Sequence, residues 1–135
     1  TLPKNLLVLG GGPIGCELAQ AFSRLGSKVT LLEMQSRILS KEDEDVSNFM
    51  KEHFTKEGIK ILSSHKLVRF EKGKTAICEF AGKEVKIEFT ECLFALGRKA
   101  RTEGFGLEDL GIELNPNGTI KVDEYMRTKF PNIFA

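Results

Sequence analysis

Short apolar runs alternate with amphipathic segments along the first half of the chain. Residues 4–9, 28–33 and 59–62 form the apolar runs, which are typical of strands buried on both faces of a sheet. In the segments between them, apolar residues recur every three or four positions, the period of a helix with one buried face. The order strand, helix, strand, helix, strand over residues 4–63 predicts a parallel sheet with right-handed crossovers.

The same periodicity predicts the buried face of each helix. The inward-facing residues of the first helix are expected to be Ile14, Leu18, Ala21, Phe22 and Leu25. Those of the second helix are expected to be Val46, Phe49, Met50 and Phe54. Ser40, three residues before Asp43, resembles a capping-box start, and the acidic run 42–45 is interpreted as favourable charge on the first turn of the second helix.

Helical periodicity stops after Ser64. Three runs of alternating character follow, namely KLVRFE, TAICEF and EVKIEF, and glycine-containing turns separate them. We therefore predict an antiparallel three-stranded meander over residues 65–89, with one face of its last strand buried and the other exposed to solvent. The apolar run at residues 92–97 is expected to return to the parallel sheet as a further strand.

These elements predict an α/β fold. It consists of a Rossmann-like parallel sheet of about four strands, with helices on one face and the three-stranded antiparallel meander on the other. A chain of 135 residues and 15.1 kDa fills one hydrophobic core, so we expect a single domain over residues 1–135. Residues 98–135 are polar and rich in turn residues and are expected to form a tail.

Charge and hydropathy exclude several classes of function. Lysine and arginine total 20, aspartate and glutamate total 19, and the formal net charge is +1, which argues against binding to nucleic acid or a membrane surface. No run approaches the roughly 20 apolar residues of a membrane span, and the N-terminus lacks the features of a signal peptide. We therefore expect a soluble, cytoplasmic protein.

The cysteines and histidines do not form a catalytic or metal-binding pattern. Cys16, Cys78 and Cys92 are too far apart for C-x-x-C or C-x-x-x-x-C and are expected to be reduced core thiols. His53 and His65 have neither a paired nucleophile nor metal-spaced neighbours, so both are interpreted as structural. No zinc, calcium or P-loop spacing is present, and we expect no metal site.

A glycine-rich segment carries the clearest functional signal. Gly10-x-Gly12-x-x-Gly15 follows the first predicted strand and opens the first predicted helix. In such a segment the first glycine permits a tight turn, the second lets the backbone approach a pyrophosphate, and the third lets the helix pack closely on the strand. The helix N-terminus also offers unpaired N–H groups and the positive end of its dipole to phosphates. The segment therefore predicts a dinucleotide site.

Glu33 narrows the choice of dinucleotide. It lies at the end of the second predicted strand, 18 residues after Gly15, close to the position expected for the carboxylate that binds the adenosine ribose. A carboxylate there accepts hydrogen bonds from the 2′- and 3′-hydroxyls and repels a 2′-phosphate, which favours NAD(H) over NADP(H). Arg37 is the opposing signal, because it could contact a 2′-phosphate unless it is a solvated loop residue.

Four segments, which together cover nearly the whole chain, carry a family resemblance. They are VLGGGPIGCELAQAFSRLGSKVTLLE, ILSKEDEDVSNFMKEHFTKEGIKI, FALGRKARTEGFGLEDLGIELNPNGTIKVDEYMRT and NIFA. Their combination resembles the NAD(P)-binding domain of the pyridine nucleotide–disulfide oxidoreductases, most closely the branch of dihydrolipoamide dehydrogenase and mercuric-reductase-like proteins. The resemblance implies that this domain lies between two parts of an FAD-binding domain. It also implies that NADH passes hydride to FAD for the reduction or oxidation of a disulfide or dithiol substrate. The parent is then expected to be a homodimer, with its FAD and dimerisation domains as partners of this one.

The resemblance also implies roles for individual residues. Those that would lie along the pyrophosphate are Gly10, Gly12, Pro13, Ile14 and Gly15. Glu33 would contact the adenosine ribose, Leu67 the adenine, and Gly97 the nicotinamide half of the dinucleotide. Glu17 would lie under the nicotinamide and pair with a lysine of the flavin domain, and Arg98 would face the flavin diphosphate.

The chain departs from the family pattern in three respects. Pro13 stands where many members have a tyrosine that covers the flavin. Ala100 and Arg101 stand where a proline and an asparagine usually follow the GR dipeptide. The redox cysteine pair, the flavin-binding N-terminal segment and the C-terminal segment with the catalytic histidine are missing. We therefore expect a fragment of a larger flavoprotein that contains no catalytic residue and binds NADH without turnover.

Three alternatives stay open at this point. The parent could be an NADP(H)-preferring enzyme that resembles mercuric or glutathione reductase. The glycine-rich turn could bind FAD itself, although FALGRKARTEGFGL matches the part that accompanies the nicotinamide domain. The chain could also be a stand-alone NAD-sensing module.

Overall fold

The computed structural model describes all 135 residues, which form two compact units, Thr1–Gly97 and Arg98–Ala135. The first unit contains every helix and strand. These elements are β1 (Asn5–Leu9), α1 (Pro13–Arg24), β2 (Lys28–Leu32), α2 (Glu44–Lys56), β3 (Lys60–Leu62), β4 (Lys66–Glu71), β5 (Thr75–Phe80), β6 (Lys83–Glu88) and β7 (Glu91–Phe94). The predicted strand and helix order over residues 4–63, and the meander that follows it, are confirmed.

The strands form two sheets. The first has four parallel strands in the order β3-β2-β1-β7, and the second has three antiparallel strands in the order β4-β5-β6. Leu9 lies opposite Leu32 on one side and Phe94 on the other, so β1, β2 and β7 end at the same level. The predicted return strand at residues 92–97 is β7, and its last three predicted residues lie beyond the edge of the sheet.

Hydrophobic clusters cover both faces of the parallel sheet. Leu6 and Val8 of β1 pack in a cluster with residues of the two helices, including Ala19 and Phe54. Leu7 and Leu9, which point the opposite way, pack in a second cluster with residues of the meander. The alternation along β1 therefore places the helices on one face and the meander on the other, as predicted.

The predicted inner face of α1 was correct for Phe22 only, which packs against the helix-side cluster. The buried residues of the helix are Gly15, Cys16 and Ala19. Ile14, Leu18 and Leu25 are exposed. Small residues face the sheet because the helix approaches β1 closely, and the larger apolar residues therefore point away from the core.

The predicted inner face of α2 was correct for Phe54 and Met50 only. Phe54 is fully buried and Met50 is half-buried in the helix-side cluster, whereas Val46 and Phe49 are exposed. Ser47 takes a core position because its hydroxyl donates a hydrogen bond to the carbonyl of Ile38 at 2.6 Å. A polar residue that satisfies its hydroxyl in this way can replace an apolar one in the core.

The start of α2 also differs in detail from the expected capping box. Asp43 is the N-cap residue, and no side chain caps the helix. Glu44 and Asp45 lie in the first turn, so the acidic run does place negative charge near the positive end of the helix dipole.

The second unit, Arg98–Ala135, has no helix or extended strand. Two isolated antiparallel bridges hold it, one between Leu114 and Ile120 and one between Arg127 and Phe134. The carboxylate of Asp123 accepts hydrogen bonds from the backbone N–H groups of Tyr125 and Arg127. The long polar segment is therefore a series of hydrogen-bonded turns.

None of the helices has both the length and the apolar character needed to cross a membrane.

Candidate functional site

The candidate site lies at the carboxyl edge of the parallel sheet. Gly10 follows β1 directly, and Glu33 follows β2 directly. The chain moves from β1 to β2 and β3 in one direction, and β7 pairs with the other side of β1. In open α/β sheets, ligands bind in the crevice beyond the strand ends at the point where the strand order reverses. The strand order therefore brings the glycine-rich turn and Glu33 to the same crevice.

Two of the motif glycines are required by close packing. Gly10 has a φ of +102°, and a Cβ at this position would collide with the carbonyl oxygen of Ala95. A Cβ on Gly15 would collide with the carbonyl oxygen of Gly10. The first and third glycines thus let α1 begin directly against the ends of β1 and β7.

Gly12 is required by neither packing nor backbone conformation. A Cβ at Gly12 would have no atom within 4 Å, and its φ of −75° is available to any residue. Gly12 is the N-cap of α1, no side chain caps this helix, and Pro13 at its start has no N–H to donate. The first-turn N–H groups of Ile14 and Gly15 are therefore free to bind an anion that approaches over Gly12.

The Glu33 carboxylate is held in place by backbone donors. The N–H of Gly11 donates to its Oε2 at 2.6 Å, and the N–H of Gln35 donates to its Oε1 at 2.7 Å. The main chain of Glu33 is fixed as well, because its carbonyl accepts a hydrogen bond from the N–H of His65 at 3.0 Å. Each carboxylate oxygen has a second acceptor site, so Glu33 can also accept hydrogen bonds from two ligand hydroxyls.

The guanidinium of Arg37 binds the backbone of its own loop. Arg37 is half-buried, and its Nη1 donates to the carbonyls of Glu42 at 2.8 Å, Asp43 at 3.4 Å and Leu39 at 3.5 Å. The N–H of Leu39 in turn donates to the carbonyl of Gly11 at 2.7 Å. Arg37 therefore holds the loop between β2 and α2 closed on itself, beside the glycine-rich turn.

The remaining predicted site residues lie on three different segments of the chain. Gly97, with a φ of +102°, lies two residues beyond the Ala95 that contacts Gly10. Glu17 is exposed, one turn along α1. Leu67 is half-buried against the meander-side core.

Sequence reasoning missed two residues of the site. Gly11 supplies the N–H that binds Glu33, and a Cβ there would lie 2.9 Å from a side-chain methyl of Ile38. The run of three glycines was a signal for this role, because the motif itself accounts for only two of them. No sequence signal identified Gln35, whose contribution is a backbone N–H.

The three thiols are free, and two of them lie in the core. Cys16 and Cys78 are buried and Cys92 is half-buried, and all three are free. Burial, aided by the negative charges of Glu33 and Glu17, raises the pKa of Cys16 to about 11. Burial raises the pKa of Cys92 to about 11 as well. The prediction of core thiols is confirmed for Cys16 and Cys78.

The two histidines have structural contacts. His53 lies 3.0 Å from the carboxylate of Glu57 and stacks on Phe49. His65 is buried, stacks on Phe80 at 4.4 Å, and its Nδ1 lies 2.7 Å from the carbonyl of Ser63. Since a carbonyl can only accept, Nδ1 carries the proton of this hydrogen bond. No group of three or more histidine, cysteine, aspartate or glutamate side chains is arranged to hold a metal ion.

Comparison with known proteins agrees with this geometry. Residues 1–135 match the family model described as pyridine nucleotide-disulphide oxidoreductase. A dihydrolipoyl dehydrogenase of Bacillus subtilis (strain 168) is 39% identical over 135 residues, which cover 99% of this chain and 29% of that protein.

Two solved structures have the same fold. The HOCl-induced flavoprotein disulfide reductase RclA from Escherichia coli superposes with a TM-score of 0.82 at 31% identity, over 99% of this chain and 31% of that one. The water-forming NADH oxidase from Lactobacillus brevis, bound to NADH, has a TM-score of 0.81 at 27% identity, over 98% of this chain and 29% of that one.

The chain thus spans less than a third of the length of the relatives it matches. The matched segment includes the glycine-rich turn, Glu33 and both sheets, so fold, motif and sequence identity agree over the whole chain. The chain belongs to the pyridine nucleotide-disulphide oxidoreductase family.

Proposed function

We propose that this chain binds NADH as the nucleotide module of a larger FAD-dependent disulfide oxidoreductase. The observation that carries the proposal is the pairing of an uncapped helix N-terminus at Gly12 with a fixed carboxylate at Glu33. The first suits a pyrophosphate and the second suits the hydroxyls of a ribose. The residues that would lie along the pyrophosphate are Gly10, Gly12, Pro13, Ile14 and Gly15.

The preference for NADH over NADPH rests on Glu33 and Arg37. A 2′-phosphate on the adenosine ribose would meet the Glu33 carboxylate, and two negative charges in close contact repel each other. The guanidinium that could neutralise a 2′-phosphate is Arg37, and its Nη1 is engaged by three backbone carbonyls of its own loop. The structural relative that contains NADH supports the same preference.

The nicotinamide half would extend away from Glu33, toward the end of β7. Leu67 would then contact the adenine, and Gly97 would flank the nicotinamide. Glu17 would lie on the flavin side of the nicotinamide, since it is exposed on α1 near the glycine-rich turn. The positions of β2 and β7 on opposite sides of β1 support the placement of Gly97 on the nicotinamide side.

In the parent protein, the bound flavin would supply two-electron chemistry between the nicotinamide and a disulfide. The overall reaction balances as NADH, one proton and a disulfide giving NAD⁺ and two thiols, and it can run in either direction. A dihydrolipoamide-like dithiol is the proposed substrate class, and the parent would act as a homodimer. The role of this chain would be to bind and orient NADH and to discriminate it from NADPH. The isolated chain would therefore bind NADH without turnover.

Titration of the chain with NADH and with NADPH, by calorimetry or by nicotinamide fluorescence, tests this proposal. We expect NADH to bind more tightly by about tenfold or more, the effect of one unfavourable charge contact. An assay of lipoamide-dependent NADH oxidation with the same chain should give no turnover. Tighter binding of NADPH would contradict the role of Glu33, and turnover without added flavoprotein would contradict the proposal that this chain is a module.

A further inference from the structure

His65 occupies a buried position beside the backbone that fixes Glu33. It is 8% exposed, and its ring stacks on the ring of Phe80 at a centroid distance of 4.4 Å and an interplanar angle of 7°. In this orientation its Nδ1 donates a hydrogen bond to the carbonyl of Ser63 at 2.7 Å. Both a face and a nitrogen of the imidazole ring are therefore held in place.

The imidazole holds one peptide unit of the loop between β3 and β4. The carbonyl of Ser63 and the N–H of Ser64 belong to the same peptide. The carbonyl accepts a hydrogen bond from the ring of His65, and the N–H donates to the carbonyl of Gln35 at 2.8 Å. The hydroxyl of Ser63 is buried and has no hydrogen-bond partner in the chain. The imidazole is therefore the side chain that fixes the orientation of this peptide.

This peptide has to be held because Ser64 has an unfavourable backbone conformation. Its φ is +57°, in the left-handed region that residues other than glycine rarely adopt. Such a conformation persists only where neighbouring contacts fix it. Without the N–H donor of His65, the peptide between Ser63 and Ser64 could rotate, and its N–H would leave the carbonyl of Gln35.

Gln35 connects this peptide to the carboxylate of Glu33. The N–H of Gln35 donates to Oε1 of Glu33 at 2.7 Å. The loop also binds the main chain of Glu33, whose N–H donates to the carbonyl of Leu62 at 2.9 Å and whose carbonyl accepts from the N–H of His65 at 3.0 Å. A continuous series of hydrogen bonds and backbone therefore runs from the ring of His65 to the Glu33 carboxylate.

We propose that His65 is a positioning residue that determines how well this chain discriminates NADH from NADPH. It acts through the backbone of Gln35 and the carboxylate of Glu33, and its own ring does not need to contact the dinucleotide. This inference rests on the proposed function, in which the carboxylate binds the ribose hydroxyls and repels a 2′-phosphate. A carboxylate that loses one of its two backbone donors can turn about its side-chain bonds. NADH would then lose fixed acceptors, and NADPH would meet less repulsion.

Two substitutions distinguish the N–H donor of His65 from its aromatic ring. His65→Phe keeps a ring that can stack on Phe80 and removes the donor. His65→Asn removes the ring and keeps a donor, because the amide nitrogen of asparagine is as many bonds from Cα as Nδ1 of histidine is. His53→Phe is the matched control, since His53 also stacks on a phenylalanine and lies on α2.

Calorimetric titrations of the chain with NADPH and with NADH give the ratio of the two dissociation constants. We expect His65→Phe to reduce this ratio by about threefold to tenfold, the effect of one lost hydrogen bond. His65→Asn should stay within about twofold of the wild-type ratio, and His53→Phe should leave it unchanged. In a chain that already carries Glu33→Gln, His65→Phe should reduce the ratio no further, because the two residues act as one unit.

NMR of the ligand-free chain tests the structural part of the proposal without any nucleotide. In the wild-type chain at neutral pH, the imidazole nitrogen signals of His65 should show a proton on Nδ1. The backbone N–H signal of Gln35 should move in His65→Phe and should stay in place in His53→Phe. The wild-type measurement decides this part even where His65→Phe does not fold.

Three results would overturn the positioning role of His65. The first is an Nδ1 without a proton in the wild-type chain. The second is a wild-type ratio of dissociation constants in His65→Phe. The third is an equal loss in His65→Phe and His65→Asn, since the N–H donor would then not be the group that matters. Failure of the proposed function gives a different result, because the wild-type chain would not bind NADH at all.

Discussion

At the residue scale, Glu33 combines a structural and a binding role in one carboxylate. It accepts the N–H groups of Gly11 and Gln35, and so it joins the end of β2 to the glycine-rich turn before any ligand binds. Its position is fixed by these contacts and requires little reorganisation on binding. The same carboxylate is proposed to select the ribose.

Glu33→Gln should therefore weaken NADH binding and reduce the discrimination against NADPH. The amide has one acceptor oxygen in place of two, so either Gly11 or Gln35 would face an NH₂ donor. We expect a loss of about 1.5–3 kcal/mol in NADH binding, the range for hydrogen bonds to charged groups. Calorimetric titration with both nucleotides measures this effect. Glu52→Gln, on the exposed face of α2, is the control, and an equal loss in that variant would refute the role of Glu33.

Two glycine substitutions distinguish a glycine that is needed for close packing from one that is needed for the approach of the ligand. Gly15→Ala places a Cβ against the carbonyl of Gly10 and should lower the free energy of unfolding by about 1–3 kcal/mol, as overpacking does. Gly12→Ala places its Cβ in open space, so the fold should keep its stability while NADH affinity falls. Urea unfolding and NADH titration of both variants distinguish the two effects. Full NADH affinity in Gly12→Ala would show that no ligand passes over this residue.

The thiols provide a pH-dependent prediction. The pKa values of Cys16 and Cys92 rise from 9.0 to about 11, so both groups stay protonated in the folded chain at pH 8. Their reaction with a disulfide reagent should be slow in the native chain and fast in concentrated urea. Rapid native labelling of all three cysteines would contradict their burial.

The same pKa shifts predict a loss of stability at high pH. In the unfolded chain the thiols lose their protons near pH 9, while in the folded chain they keep them until about pH 11. Their contribution is therefore complete below pH 9, and the free energy of unfolding should fall as the pH rises from 9 to 11. Urea titrations across this range measure the slope, which Cys92→Ala should reduce.

At the element scale, the β5–β6 hairpin contains a residue in an unfavourable conformation. Its two-residue loop is Ala81 and Gly82, with φ values of +50° and +74°. Turns of this kind favour Asn-Gly, because asparagine tolerates positive φ better than alanine does. Ala81→Asn should raise the free energy of unfolding by about 0.5–1 kcal/mol. Gly82→Ala should lower it by about 1–3 kcal/mol. Urea unfolding checks both, and destabilisation by Ala81→Asn would contradict the turn assignment.

The elements themselves could be predicted from sequence, and the buried faces of the helices only in part. Continuous apolar runs identified the parallel strands because only buried strands lack alternation. The meander was predicted from alternation and from its glycine-containing turns. The periodicity of α1 instead identified Ile14, Leu18 and Leu25, which face away from the sheet. Apolar periodicity reports that one face is apolar, and it does not report whether the core or a partner covers that face.

At the scale of the whole molecule, the motif spacing predicted the candidate site, and the structure added the hydrogen bonds between its residues. Gly10, Gly12, Gly15 and Glu33 could be identified because their spacing along a strand, turn and helix is specific. The hydrogen bonds from the backbone of Gly11 and Gln35 to Glu33 could not be predicted, because almost every residue type has a backbone N–H. For the same reason, sequence did not reveal that Arg37 binds the carbonyls of its own loop.

The most direct test of the central claim, that NADH lies over the glycine-rich turn with its ribose on Glu33, is an amide chemical-shift titration of the chain. We predict that NADH shifts the backbone N–H signals of Gly11, Gly12, Ile14, Gly15 and Gln35 most strongly, and that NADPH shifts them only at higher concentration. Absence of shifts in this turn, or shifts centred on the second unit, Arg98–Ala135, would contradict the account.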